Sequence, residues 1–315
     1  MSGGGLGGSI GVFDSGVGGL TVVKELRRLM PAENIVYFGD TARAPYGGKD
    51  APTLLAHGRE IIRFLLGKGA KIIVMACGTS SSTSLEHLRA EFPDVPIVDT
   101  IRPAVAATLA LAKQRPDFAP VFIATEATIN SGLFARLYNE GFAEMQGAND
   151  EWRDVPAEAN PPTLYTRPCP LFAPMVEVGL AAIKNHPLPR FAAENYLADL
   201  RGKVNALVLG CTHYPLLTDT ITQVLGDITY VNPATATAEA TREKLQKHDA
   251  HFQNTSAMRV APPQAAQPAK PVQLTQPAQG TLAKIEYYTS GNVKKFSEIA
   301  EIVMGEPCCA MQGTL

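Results

Sequence analysis

The strongest constraint on the fold is an unbroken apolar run, Ile72, Ile73, Val74, Met75 and Ala76, that stops abruptly at Cys77. Small hydroxyl residues Thr79, Ser80 and Ser81 follow, and a helical pattern begins near Ser82. A run with no polar alternation fits a strand buried on both faces of a parallel sheet. Ligands of open α/β sheets bind just beyond the carboxyl ends of the strands. Cys77 therefore belongs at that edge, beside the amino end of a helix. Free backbone N–H groups and the helix dipole there favour an anion and lower a thiol's pKa.

The pattern occurs twice. Ala206, Leu207, Val208 and Leu209 form a second apolar run, followed by Gly210, Cys211, Thr212, His213, Tyr214 and Pro215. Pro215 suits the first turn of a helix. Two such strands, each ending at a cysteine, suggest two related halves facing one another. A free cysteine is more often a small buried core residue. The matched context of the pair weighs against that plainer reading.

The 315 residues suggest about two domains, and an apolar content of 45% is ample for their cores. A formal charge of −2 and the lack of any Lys/Arg-rich run argue against a nucleic-acid or anionic-membrane partner. The five cysteines have neither paired spacing nor metal-ligand spacing. Apolar runs stay short of a membrane span, and the glycine-rich start has no signal pattern. The expectation is a reduced, cytoplasmic protein.

Residues 9–13 read as a strand ending at Asp14, Ser15, Gly16, Val17, Gly18 and Gly19, with a helix over 20–30. Such a turn can cradle an anion, although its spacing fits neither the dinucleotide nor the P-loop fingerprint. Asp14 is either an N-cap or a functional group. Residues 34–38 form the next strand, and 39–48 a long loop whose Tyr46 and backbone N–H groups could hold a ligand. A helix over 51–67 leads to the Cys77 strand. Further strands are expected at 96–99, 121–125, 164–167, 228–231 and 285–291, with helices between. A polar, Pro-rich surface excursion is expected at 147–162. Residues 248–282, rich in Gln, Ala and Pro, read as a disordered insert. The alternation implies an α/β fold with parallel sheets and helices on both faces.

A thiolate is a good base and nucleophile once its pKa falls toward neutrality. Two thiols on opposite walls suit removal of a proton from one face of a carbon and delivery to the other. Each needs a neighbour to tune its protonation. Asp14 is the candidate beside Cys77. His213 is the candidate beside Cys211, its plainer reading being a hydrogen-bonded structural histidine.

These motifs resemble those of glutamate racemase, in the aspartate/glutamate racemase superfamily. The resemblance is carried by the turn at Phe13, Asp14, Ser15, Gly16, Val17, Gly18 and Gly19. It continues in the loop at Gly39, Asp40, Thr41, Ala42 and Arg43, then Pro45, Tyr46 and Gly47, and in residues 209–215. Weaker matches lie at residues 127–131, at Val176 and Glu177, and at 289–291. The resemblance spans about residues 10–300 apart from the insert. It implies two similar α/β domains with the active site at their interface. The first would comprise 1–101 and 218–315, the second 102–217. It also implies cofactor-independent interconversion of L- and D-glutamate, which feeds peptidoglycan synthesis, with no metal and a possible homodimer. Cys77 and Cys211 match the acid/base positions, and Asp14, Glu177 and His213 the auxiliary ones. Ser15, Tyr46, Gly47, Thr79, Thr128 and Thr212 match substrate-holding positions.

One position departs from the family. The residue after the first cysteine is usually Asn, and here it is Gly78. Glycine lets the chain come close or take φ > 0, but supplies no side-chain hydrogen bond. If that bond is simply missing, Gly78→Asn should raise activity on glutamate. If the pocket is reshaped, or the backbone needs glycine, it should abolish it. Two other readings stay open: a racemase of aspartate or another amino acid, and a catalytically weakened binding or regulatory homologue.

Overall fold

The computed structural model of the chain describes residues 8–115, 117–148, 164–183, 186–258 and 283–315. Strands β1 (Ser9–Asp14), β2 (Ile35–Gly39), β3 (Ala70–Met75) and β4 (Ile97–Asp99) belong to a first sheet. Strands β5 (Pro120–Ala124), β6 (Tyr165–Pro168), β7 (Ala206–Leu209) and β8 (Thr229–Val231) make a second. β9 (Ile285–Thr289) and β10 (Ala310–Gln312) return to the first. Every pairing is parallel. Parallel neighbours need crossovers, and helices supply them.

In the first half these are α1 (Leu20–Leu29), α2 (Ala51–Gly67), α3 (Gly78–Thr83), α4 (Leu85–Glu91) and α5 (Ile101–Gln114). In the second they are α6 (Glu126–Asn130), α7 (Leu133–Ala148), α8 (Phe172–Glu177), α9 (Pro187–Leu197), α10 (Thr218–Leu225) and α11 (Pro233–Met258). α12 (Val293–Met304) lies between β9 and β10, its first turn capped by Asn292, which accepts from the Lys295 amide at 2.9 Å.

Two-residue alternation places side chains on opposite faces of each sheet. Ile72 and Val74 join Val22, Val23 and Leu26 of α1 on one side, whereas Ile73 and Met75 join Ile61, Ile62 and Leu65 of α2 on the other. In the second sheet Phe122 and Val208 pack with Ile101, Val105 and Phe134, and Val121, Ile123, Leu207 and Leu209 face the opposite way. Burial on both faces is why these strands read as continuous apolar runs.

The sheet orders are β10-β9-β2-β1-β3-β4 and β6-β5-β7-β8. The segment β2-β1-β3-β4 therefore has the same connectivity as β6-β5-β7-β8. In each, the chain winds one way from the first strand and the other way from the third. The reversal falls between β1 and β3, and again between β5 and β7, and ligands bind at such switch points. Cys77 and Cys211 follow β3 and β7, so each thiol leaves its sheet at the switch.

Three differences from the sequence reading stand out. β8 pairs with β7, so the second sheet continues past residue 217, where the return to the first domain was expected. Helix α11 runs through Met258 and so overturns the start of the expected insert at 248. Glu243, Lys244, Leu245, Gln246 and Lys247 are good helix formers, and no proline follows until Pro262. Residues 259–282, like most of the expected excursion at 147–162, lie outside the described residues. β10 was not expected, being only three residues long.

The return of the C-terminal part is anchored by Phe296, which is 2% exposed and stacks on Tyr37 of β2 with ring centroids 6.1 Å apart. Truncation of a buried Phe costs about 3–5 kcal/mol. Phe296→Ala should lower the urea midpoint accordingly, and a loss under about 1 kcal/mol would contradict this packing.

Candidate active site

The two switch points face each other across a cavity of about 160 Å³. Asp14, Ser15, Cys77, Gly78 and Thr79 line it from the first sheet, with Tyr46 and Gly47 from the long loop. Glu177, Cys211, Thr212 and His213 line it from the second. Thr128 is not part of the lining. It is buried behind Thr125, which lines the cavity, with the two hydroxyl oxygens 3.0 Å apart. Thr125 is the last residue of the expected strand at 121–125, and position at a strand tip was the signal for it.

Each thiol has its own surroundings. Cys211 Sγ lies 3.5 Å from Nδ1 of His213, and Nε2 of His213 lies 2.6 Å from Oε1 of Glu177. The same Oε1 accepts from the Val17 amide at 2.8 Å. Burial works to lower the His213 pKa. The Cys211 sulfur and the Glu177 carboxylate outweigh it and hold the imidazole well above its ordinary value. Burial likewise works to raise the Glu177 pKa, and His213 and the Val17 amide overcome it, leaving it lowered.

Cys77 contrasts with the lowered pKa expected from its place before a helix. Burial, and then the nearby Asp14, push its pKa up to about 11. Helix α3 is short, and a thiol 5% exposed loses more by desolvation than the helix end returns. Ser80 opposes the shift through its amide and hydroxyl. That hydroxyl is fully buried and has no hydrogen-bond partner among the described residues.

Asp14 is fully buried, and burial raises its pKa. Its Oδ2 accepts from the Gly16 and Gly19 amides at 3.2 and 3.1 Å, and its Oδ1 from the Thr212 hydroxyl at 3.3 Å. The glycine-rich turn does cradle anions, but they are the chain's own carboxylates, Asp14 and Glu177. Its glycines are required by close approach. A Cβ on Gly16 would lie 1.8 Å from Oε1 of Glu177, and one on Gly18 would lie 2.3 Å from Nδ1 of His213.

The long loop is held by Asp40, a buried residue that sequence reasoning placed in the loop without assigning it a role. It accepts from the Tyr46 hydroxyl, from Arg43 Nε at 2.7 Å and from Ser290 Oγ at 2.7 Å. These bonds set Tyr46 and Gly47 over the cavity.

Among the described residues, no group of three or more His, Cys, Asp or Glu side chains could hold a metal ion. No helix among them is long and apolar enough to cross a membrane. The arrangement brings two thiols to one small cavity, Cys77 beside Asp14 and Cys211 beside His213.

A family model described as Asp/Glu/Hydantoin racemase matches residues 18–241. A protein from Aquifex aeolicus named glutamate racemase is 37% identical over 74% of this chain and 82% of its own length. One of the same name from Desulforudis audaxviator is 35% identical over 95% and 94%. The crystal structure of glutamate racemase from Francisella tularensis in complex with D-glutamate aligns with a TM-score of 0.71. It shares 26% identity over 98% of this chain and 97% of that one.

The Ser80 hydroxyl gives a pH-linked prediction. A hydrogen bond to a charged group contributes about 1.5–3 kcal/mol, roughly one to two pKa units. Ser80→Ala removes the unpartnered hydroxyl that is available to donate to a thiolate at Cys77, so the Cys77 pKa moves further up and less thiolate exists at pH 8. Alkylation of Cys77 by iodoacetamide, followed by site-resolved mass spectrometry, should slow by roughly tenfold or more. Equal or faster alkylation would contradict the assignment.

Proposed function

The chain belongs to the Asp/Glu/hydantoin racemase family, and from that membership we propose that it interconverts L- and D-glutamate by proton transfer through Cys77 and Cys211. The observation that carries this reading is the delivery of two thiols, from the tips of β3 and β7, to opposite sides of one cavity. The relatives named glutamate racemase, and a neighbour holding D-glutamate, support glutamate as the substrate.

Racemisation needs one bond broken and one made at the α-carbon. One thiolate takes the α-proton, so an S–H bond forms as the Cα–H bond breaks. The electron pair stays on the α-carbon and its carboxylate. The opposite thiol then delivers its own proton to the other face, leaving a thiolate there. The reverse reaction swaps the roles. Charged His213, 3.5 Å from Cys211 Sγ and braced by Glu177, is a cationic partner for the Cys211 thiolate. Cys77, with its raised pKa, is suited to start as the thiol in that direction. Asp14 and Ser80 adjust its proton affinity in opposite senses.

Ser15, Tyr46, Gly47, Gly78, Thr79 and Thr212 hold the substrate between the thiols, with Thr128 supporting Thr125 from behind. The two sheets are the cores of two domains with the site at their interface. The thiols move both protons, so the reading calls for neither pyridoxal phosphate nor metal. The product supplies peptidoglycan synthesis in the cytoplasm, and the family resemblance allows a homodimer.

Positioned acid/base groups contribute about 10²–10⁴-fold. Cys77→Ser and Cys211→Ser should each lower racemisation of glutamate by at least about 100-fold, followed by circular dichroism with both enantiomers of glutamate and aspartate. Each variant should retain solvent exchange of the α-proton for one enantiomer only, and the two should differ in which. Activity within about threefold of wild type in either variant, or turnover of aspartate above glutamate, would overturn the reading.

A further inference from the structure

Gly78 directly follows Cys77, and Gly210 directly precedes Cys211. A Cβ built on Gly78 would lie 2.4 Å from the Gly210 carbonyl oxygen. That atom is backbone and cannot swing aside. The Gly210 amide donates to the Ile123 carbonyl at 2.7 Å, which ties the peptide just before that carbonyl to β5.

Gly210 has no room to retreat. A Cβ on it would lie 2.4 Å from two atoms of the Phe122 ring and 2.8 Å from the Ala124 Cβ. Phe122 is 1% exposed and stacks on Phe134 with centroids 3.9 Å apart, so the backing is itself packed. Bare backbone therefore meets bare backbone where the two sheets deliver their thiols. Any side chain at 78 must drive the two walls apart.

We propose that Gly78 is a positioning residue: its missing side chain lets the two walls close until Cys77 and Cys211 flank a single carbon. This rests on the racemase reading and goes beyond it. Of the two outcomes left open for Gly78→Asn, it favours loss of activity over a restored hydrogen bond. Glycine here is a requirement of spacing, and Gly78 itself lines the cavity of about 160 Å³ between the two thiols.

The test compares Gly78→Ala, Gly78→Ser and Gly78→Asn with Gly67→Ala, a control whose Cβ would meet nothing within 4 Å. A misplacement of about 1 Å can cost roughly 100-fold in rate. All three Gly78 variants should lose about 100-fold or more in kcat for glutamate, with KM changed far less, and the single methyl of Ala should account for most of it. Gly67→Ala should match wild type. A second readout does not depend on activity. Dibromobimane, a short thiol-bridging reagent, should link Cys77 to Cys211 in wild type and do so much more slowly in folded Gly78→Ala, with the bridged peptide identified by mass spectrometry.

A rise in kcat/KM with Gly78→Asn, or activity within about threefold of wild type for Gly78→Ala, would overturn the proposal. So would unchanged bridging in Gly78→Ala. Should the variants not fold, a crystal structure of the wild type with glutamate decides. Contact retained between Gly78 Cα and Gly210 O upholds the proposal, and separation of the two in the bound state overturns it. If wild type bridges as expected but does not racemise glutamate, the functional reading fails while the spacing stands.

Discussion

One carboxylate oxygen joins the two halves of this molecule. Oε1 of Glu177, on α8 beside the second sheet, accepts from the Val17 amide in the first sheet's turn and bonds His213 beside Cys211. Removing one partner of a buried charged pair costs about 3–5 kcal/mol, because the other charge is left stranded. The same bond system that closes the two sheets on each other therefore sets the protonation of the group next to Cys211. Gly16 and Gly18 are glycines because these two side chains press onto the turn. Fold and chemistry share their contacts here.

The cavity is symmetric in topology and asymmetric in charge. Both thiols leave their sheets at equivalent switch points, and in that sense the halves are copies. Cys211 faces a histidine held well above its ordinary pKa. Cys77 faces a buried carboxylate and has its own pKa pushed up to about 11. Racemisation needs one group as thiolate and the other as thiol, with the roles swapped in the reverse direction. Cys77 holds its proton more tightly than a free thiol does, and the substrate enantiomer decides the direction of transfer.

Much of the fold could be read from residue order. The runs at Ile72–Met75 and Ala206–Leu209 are apolar at every position or nearly so, which only strands buried on both faces need. Asp14, Cys77, Cys211 and His213 were legible because each sits just past such a run. The rest depended on what meets across the cleft. Thr125 and Thr128 are both small hydroxyl residues near one strand end, and only the packing decides which lines the cavity. Helix α11 was hidden because its Ala/Thr-rich start has little apolar periodicity. Ser80 looked like any residue of a small polar turn, and its lack of a partner shows only in three dimensions. Gly78 was read both as a missing hydrogen bond and as a place where backbone comes close, and only the packing shows that Gly210 occupies the place where a side chain would go.

The central claim, that two different groups serve the two faces of one carbon, is tested most directly by isotope placement in the wild-type protein. L-Glutamate is incubated with the protein in D2O, and both enantiomers are separated and analysed by mass spectrometry at early times. The account predicts D-glutamate carrying one deuterium at the α-carbon while the remaining L-glutamate stays protiated. Deuterium entering the L-glutamate pool as fast as D-glutamate forms, or D-glutamate retaining the substrate's own proton, would contradict it.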